Sequence, residues 1–109
     1  MTSQRFEPDL LRQEVLELTE MLRNEEILED LRTLLQRSGI DPQQARLAGF
    51  REDASGFEGG VLIASDGNVY YFERNVSQSE FSAFHTVDDP ATFFDTYPAL
   101  SVALEMDIS

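Results

Sequence analysis

Histidine occurs once in this chain, at position 85, and cysteine and lysine do not occur at all. That inventory removes whole classes of chemistry. One imidazole cannot build a multi-histidine metal site, and without thiols there is no disulfide, thiolate ligand or cysteine nucleophile. Without lysine there is neither Schiff-base chemistry nor a P-loop lysine. His85 sits on an alternating segment between Phe81 and Val87 and reads as a partly buried, hydrogen-bonded side chain rather than a general base. Serines and carboxylates can be drawn around it as a triad, but no Gly-x-Ser-x-Gly elbow supports the drawing.

Two further patterns fall short of a site. Glu52, Asp53 and Glu58 surround a glycine-containing loop without the EF-hand alternation of oxygen ligands closed by a bidentate Glu. The run Gly56-Phe57-Glu58-Gly59-Gly60 has the glycines of a phosphate loop, yet it leads into a strand rather than a helix and lies among acids. The expectation is a protein that is not an enzyme and holds no cofactor and no metal.

Charge points to the remaining chemistry. Against 21 carboxylates stand 8 basic residues, all of them Arg, for a net charge of −13. Phosphate backbones are repelled by such a chain, so direct nucleic-acid binding is not expected. From Val76 to Ser109 there are six carboxylates (Glu80, Asp88, Asp89, Asp95, Glu105, Asp107) and no Arg. Acidity of this kind serves solubility or steers a basic protein partner.

The elements that position these residues follow from periodicity. Leu11, Val15, Leu18 and Leu22 recur at helical spacing, with Pro8 and Asp9 suited to the start and Arg23 to the end of a helix closing near Asn24. Ile27, Leu31 and Leu34 restart the stripe in a new phase. A second helix is therefore expected, capped by Asn24, with Glu25 and Glu26 in its first turn and Gly39 at its C-terminus. The stripes do not sustain heptads, which favours packing within the chain and leaves a homodimer open.

Beyond Asp41-Pro42 the pattern turns to β. Ala45 to Glu52 reads as a strand and Asp53-Ala54-Ser55-Gly56 as a loop. Val61 to Ser65 and Asn68 to Glu73 flank Asp66-Gly67, the pair that two-residue type I′ turns favour. That turn pairs Ile63 with Tyr70 and Val61 with Phe72 on one face, and Leu62 with Tyr71 and Gly60 with Glu73 on the other. Both faces are then apolar, and one of them needs a cover. After the polar stretch from Val76, Phe81 to Val87 alternates as a last strand. Asp88-Asp89-Pro90 starts a helical segment carrying Phe93, Tyr97, Leu100 and Leu104, interrupted at Pro98.

The sequence thus predicts one α+β domain over 1–109: two N-terminal helices, an antiparallel sheet of three to four strands around the central Asp-Gly hairpin, and a C-terminal helix, with the helices gathered on one face. No apolar run approaches the roughly 18 residues of a membrane span, and Met1 to Pro8 lacks a basic then hydrophobic leader, so a cytoplasmic protein is expected. The functional expectation is a protein-binding module, an inhibitor, immunity protein or adaptor. It engages a basic partner through Leu62, Tyr71, Glu73, Asp88, Asp89 and Asp95. An accessory subunit of a larger complex and an acidic nucleic-acid mimic are the alternatives. In size, acidity and α+β content the chain resembles some toxin-neutralising immunity proteins, a likeness of architecture alone.

Overall fold

A computed structural model describes residues 8–52, 56–75 and 80–106. The expected loop at Asp53-Ala54-Ser55 and the polar stretch from Val76 to Ser79 lie outside them. Helix α1 (Pro8–Asn24) is followed by a short 3₁₀ turn (Glu26–Leu28) and helix α2 (Glu29–Arg37). Four strands come next, β1 (Arg46–Glu52), β2 (Phe57–Ile63), β3 (Val69–Asn75) and β4 (Glu80–Thr86), in an antiparallel sheet of order β1-β2-β3-β4. A 3₁₀ turn (Pro90–Phe93) and helix α3 (Ala99–Ala103) complete the α+β architecture. None of the described helices is long and apolar enough to cross a membrane.

The break between α1 and α2 follows the change of stripe phase. Its chemistry differs from the expected cap: the Asn24 amide turns back to the Glu20 carbonyl and carboxylate, and the second helix has no side-chain cap. Arg32 instead reaches across the break and donates to the carbonyls of Leu22 at 2.7 Å and Glu25 at 2.9 Å, satisfying acceptors that the end of α1 leaves open. At the far end Ile40 N–H reaches the Leu35 carbonyl at 2.8 Å and Gly39 N–H that of Gln36 at 3.1 Å, a Schellman closure.

The hairpin differs from expectation by one residue. Gly67 N–H donates to the Ala64 carbonyl at 2.9 Å, Gly67 itself takes φ +89°, and Ala64 pairs with Asn68. The loop is therefore Ser65-Asp66-Gly67, a β-turn closed by a glycine bulge, with the Asp66 carboxylate accepting from Asn68 N–H at 2.9 Å. A local carboxylate bond holds the longer loop, and a one-residue change of register exchanges the partners on every row. Ile63 faces Val69, Leu62 faces Tyr70, Val61 faces Tyr71 and Gly59 faces Glu73.

Both faces of this sheet are covered, which corrects the expectation that the helices gather on one. On the first face Val61, Ile63 and Val69 pack with Leu11 and Val15 of α1, Tyr97, and Ala99, Leu100 and Ala103 of α3. On the second, Leu47, Leu62, Ala64 and Phe72 pack with Leu22 of α1 and Leu28, Leu31 and Leu35 of the α2 region. Helix α1 contributes to both clusters because it runs along the β1 edge. There the bulge at Ala48 re-aims the strand, and Leu47 N–H donates to Thr19 Oγ1 at 3.1 Å. Arg46 ties α3 to the sheet, donating to the carbonyls of Ala103 at 2.9 Å and Met106 at 2.7 Å near the helix C-terminus.

Candidate functional site

One row of the sheet runs Arg51, Gly59, Glu73 and Ala83 from β1 to β4, on the face shared with α3. Gly59 puts no side chain into the middle of that row, and two tyrosine hydroxyls converge over the gap. A Cβ built on Gly59 would lie 3.2 Å from the Tyr97 hydroxyl and 3.4 Å from that of Tyr71. Arg51, Gly59, Glu73 and the two tyrosines, with Glu52, Phe57 and Thr96, line an open cleft of about 350 Å³.

Each wall has a local cause. Tyr71 stands one pair along β3 from Glu73, on the same face, so its hydroxyl donates to Glu73 Oε2 at 3.2 Å. The other carboxylate oxygen accepts from Ser82 Oγ at 3.0 Å, and Ser82 is the extra residue of the bulge where β3 meets β4. Tyr97 comes from the segment between the last 3₁₀ turn and α3, and it can lie on the sheet because Gly49 has no Cβ: one built there would sit 2.8 Å from Tyr97 Cγ and 2.9 Å from its Cβ. Phe93 holds the two rings, its centroid 5.2 Å from Tyr71 and 6.2 Å from Tyr97. Arg51 donates to the Thr96 carbonyl at 3.1 Å and so pins the covering segment to β1.

Burial pushes the Tyr71 hydroxyl from its ordinary 10.0 up to about 12, and the neighbouring Glu73 charge adds to the rise. Burial also raises Tyr97, with Arg51 pulling the other way and Glu73 pushing further up. Both hydroxyls thus stay protonated above neutral pH; the Tyr71 O–H is spent on Glu73, which leaves the hydroxyl oxygens and the remaining Glu73 lone pairs as acceptors. Glu58 is not part of this chemistry although its backbone borders the cleft. Its carboxylate, on the opposite face, receives Nε and Nη2 of Arg74, whose Nη1 reaches Asp30 and, at 3.1 Å, the Ile27 carbonyl. That leaves Glu58 engaged rather than free for a cation beside Glu52, and Asp53 lies outside the described residues. Among the described residues no three His, Asp or Glu side chains gather as a metal-binding group.

The six residues expected to touch a partner separate in the structure. Leu62 is a correction: it is 0 % exposed, in the core between the sheet and α2, so it belongs to folding rather than to a surface. The physical reason is that α1 and α2 cover the hairpin face on which it lies. Tyr71 and Glu73 meet in the cleft. Asp95 is exposed and directly precedes Thr96 of the cleft wall, while Asp88 and Asp89 are exposed at the start of the covering segment, Asp89 accepting from Ala91 N–H at 3.2 Å. His85 neighbours the Tyr71 ring at 5.6 Å across the β3–β4 pair, outside the cleft lining. Sequence reasoning passed over Arg51, Gly59 and Tyr97. A glycine between an Arg and a Glu on neighbouring strands was the available signal, but it reads correctly only in the observed register.

Compared with known proteins, the chain matches no family model, no curated sequence and no solved structure.

Proposed function

We propose that this chain is a non-catalytic protein-binding module, of the inhibitor, immunity-protein or adaptor kind, that engages a basic partner by seating a cationic side chain in the Tyr71–Tyr97–Glu73 cleft. The observation that carries this reading is the convergence of the Glu73 carboxylate and two protonated tyrosine hydroxyls over the bare backbone of Gly59. A guanidinium entering there meets the Glu73 carboxylate and the two tyrosine hydroxyl oxygens as acceptors, a charge-assisted pairing that gains from partial desolvation. Arg51 shares the cleft, its Nη1 donating to the Thr96 carbonyl at 3.1 Å, and its charge makes Glu73, on the far side of Gly59, the end of the cleft at which a second cation is seated. The net charge of −13 steers a basic partner from a distance, and Asp95, Asp88 and Asp89 extend the negative field along the covering segment. With its hydroxyls pinned in the protonated state the cleft offers binding groups rather than a base poised near neutral pH.

Titration of the ¹⁵N-labelled protein with an Arg-containing tripeptide and its citrulline counterpart tests this reading. Shifts at Gly59, Tyr71, Glu73 and Thr96 are expected with Arg only, lost in Glu73→Gln and weakened by salt. Equal response to citrulline, or shifts spread over the carboxylates of α1, refutes it.

A further inference from the structure

The row of Arg51, Gly59 and Glu73 carries opposite charges at its two ends. Gly59 pairs with both, so the Cα atoms of Arg51 and Glu73 stand two strand spacings apart, about 9–10 Å, with both side chains on one face. The neighbouring carboxylates stay out of the row. Glu52 pairs with Glu58 one position along, and alternation turns that pair to the opposite face, where Arg74 holds the Glu58 carboxylate. At the acidic end the Tyr71 and Ser82 hydroxyls fix the two oxygens of Glu73. At the basic end Arg51 is exposed and spends Nη1 on the Thr96 carbonyl, which leaves Nε and Nη2. Those two nitrogens are the side-on pair that receives a carboxylate, as Arg74 receives Glu58 in this same chain. The Tyr97 hydroxyl stands over Gly59 between the two ends, where it both donates and accepts. Within a chain of net charge −13 this cleft is therefore dipolar.

We propose that the cleft receives the C-terminal residue of a partner chain, an Arg or Lys with a free α-carboxylate, its side-chain cation at Glu73 and its carboxylate at Arg51. The inference rests on the cation-binding reading of the cleft and adds the anion that the cation travels with. Charge favours a terminal residue over an internal one. An internal Arg brings a second cation beside Arg51 with nothing to offset it, whereas a terminal Arg carries its own counter-charge. Length agrees, because the long stem of Arg or Lys separates the two charges of one residue, as the strand of Gly59 separates the two ends of the cleft. Size agrees as well: about 350 Å³ lies at the small end of ligand pockets and suits a single residue. A chain end also enters from solvent on one side, with no second length of chain to lead out past the Thr96–Tyr97 wall.

Titration of the ¹⁵N-labelled protein with acetyl-Gly-Gly-Arg as the free acid, its C-terminal amide and the citrulline free acid tests the proposal. The amide carries one more positive charge, so the overall field of the chain favours it. The free acid is nevertheless expected to bind about fivefold tighter, the upper end of what a solvent-exposed ion pair supplies. Arg51→Gln is expected to abolish or reverse that order. Glu73→Gln is expected to weaken both Arg peptides and erase their advantage over citrulline, while the preference for acid over amide persists. Should Arg51→Gln release the covering segment, seen as displaced Thr96 and Tyr97 amide signals, the acid and amide titrations of the unaltered protein decide alone. Arg peptides that bind equally as acid and amide, or better as amide, overturn this proposal and leave the cation-binding reading standing. Failure of both Arg peptides to bind overturns the two together.

Discussion

Replacing Arg74 by Met tests the account of how the sheet is fastened to the α2 region. The Arg74 side chain is 6 % exposed and that of Glu58 5 %, while Asp30, the third member, is 36 % exposed. The substitution keeps most of the aliphatic volume but strands the Glu58 carboxylate in the interior and removes the donor from the Ile27 carbonyl. An uncompensated buried charge costs about 3–5 kcal/mol, about a fifth or more of the stability of about 5–15 kcal/mol usual for a domain of this size. At roughly 4 °C per kcal/mol, the midpoint of thermal unfolding falls by roughly 12–20 °C. Urea unfolding followed by circular dichroism measures the loss directly. Adding Glu58→Leu to Arg74→Met removes the stranded charge. The double variant therefore recovers most of the deficit, short by about 1 kcal/mol for the Ile27 carbonyl left without its donor. A loss below about 1 kcal/mol in Arg74→Met, or a double variant no more stable than the single one, refutes the reasoning.

Leu62→Ala is expected to lower stability by about 2–5 kcal/mol in the same urea assay, because the side chain is fully buried; a loss under about 1 kcal/mol places Leu62 at the surface after all. Gly49→Ala drives a methyl group into the Tyr97 ring, so the ring must leave the sheet; the expected readout is increased Tyr97 exposure to iodide quenching, and unchanged quenching argues against the close approach. The Tyr71 hydroxyl titrates higher in the folded chain, at about 12 against 10.0, so the folded state holds its proton more tightly. The corresponding stability is complete below about pH 10 and is lost as pH rises towards about 12. Tyr71→Phe is expected to flatten that alkaline decline, and a variant that declines as steeply as the parent contradicts the assignment.

Helix α1 was legible because its apolar spacing persists for about three turns, and the change of phase at Asn24 marked the break that the structure contains. Asp89-Pro90 and Pro98 marked the C-terminal turn and helix for equally local reasons, since a carboxylate cap and a missing N–H act within one turn of chain. The acidity, and the exclusion of cysteine and lysine chemistry, are properties of composition and need no fold.

Register was not legible. Asp66-Gly67 suits a two-residue turn and a three-residue loop alike, and the bond from Asn68 N–H to the Asp66 carboxylate goes with the longer one. That single residue decides which side chains share a face, and it places Glu73 beside Gly59 rather than Gly60. Only the tertiary structure, in turn, could send α1 along the sheet edge so that helices cover both faces, turning Leu62 from an expected contact into core. The cleft has the same origin. Tyr97 reaches Gly59 because Gly49 admits its ring and Arg51 anchors Thr96, contacts between segments more than 35 residues apart that no local pattern encodes.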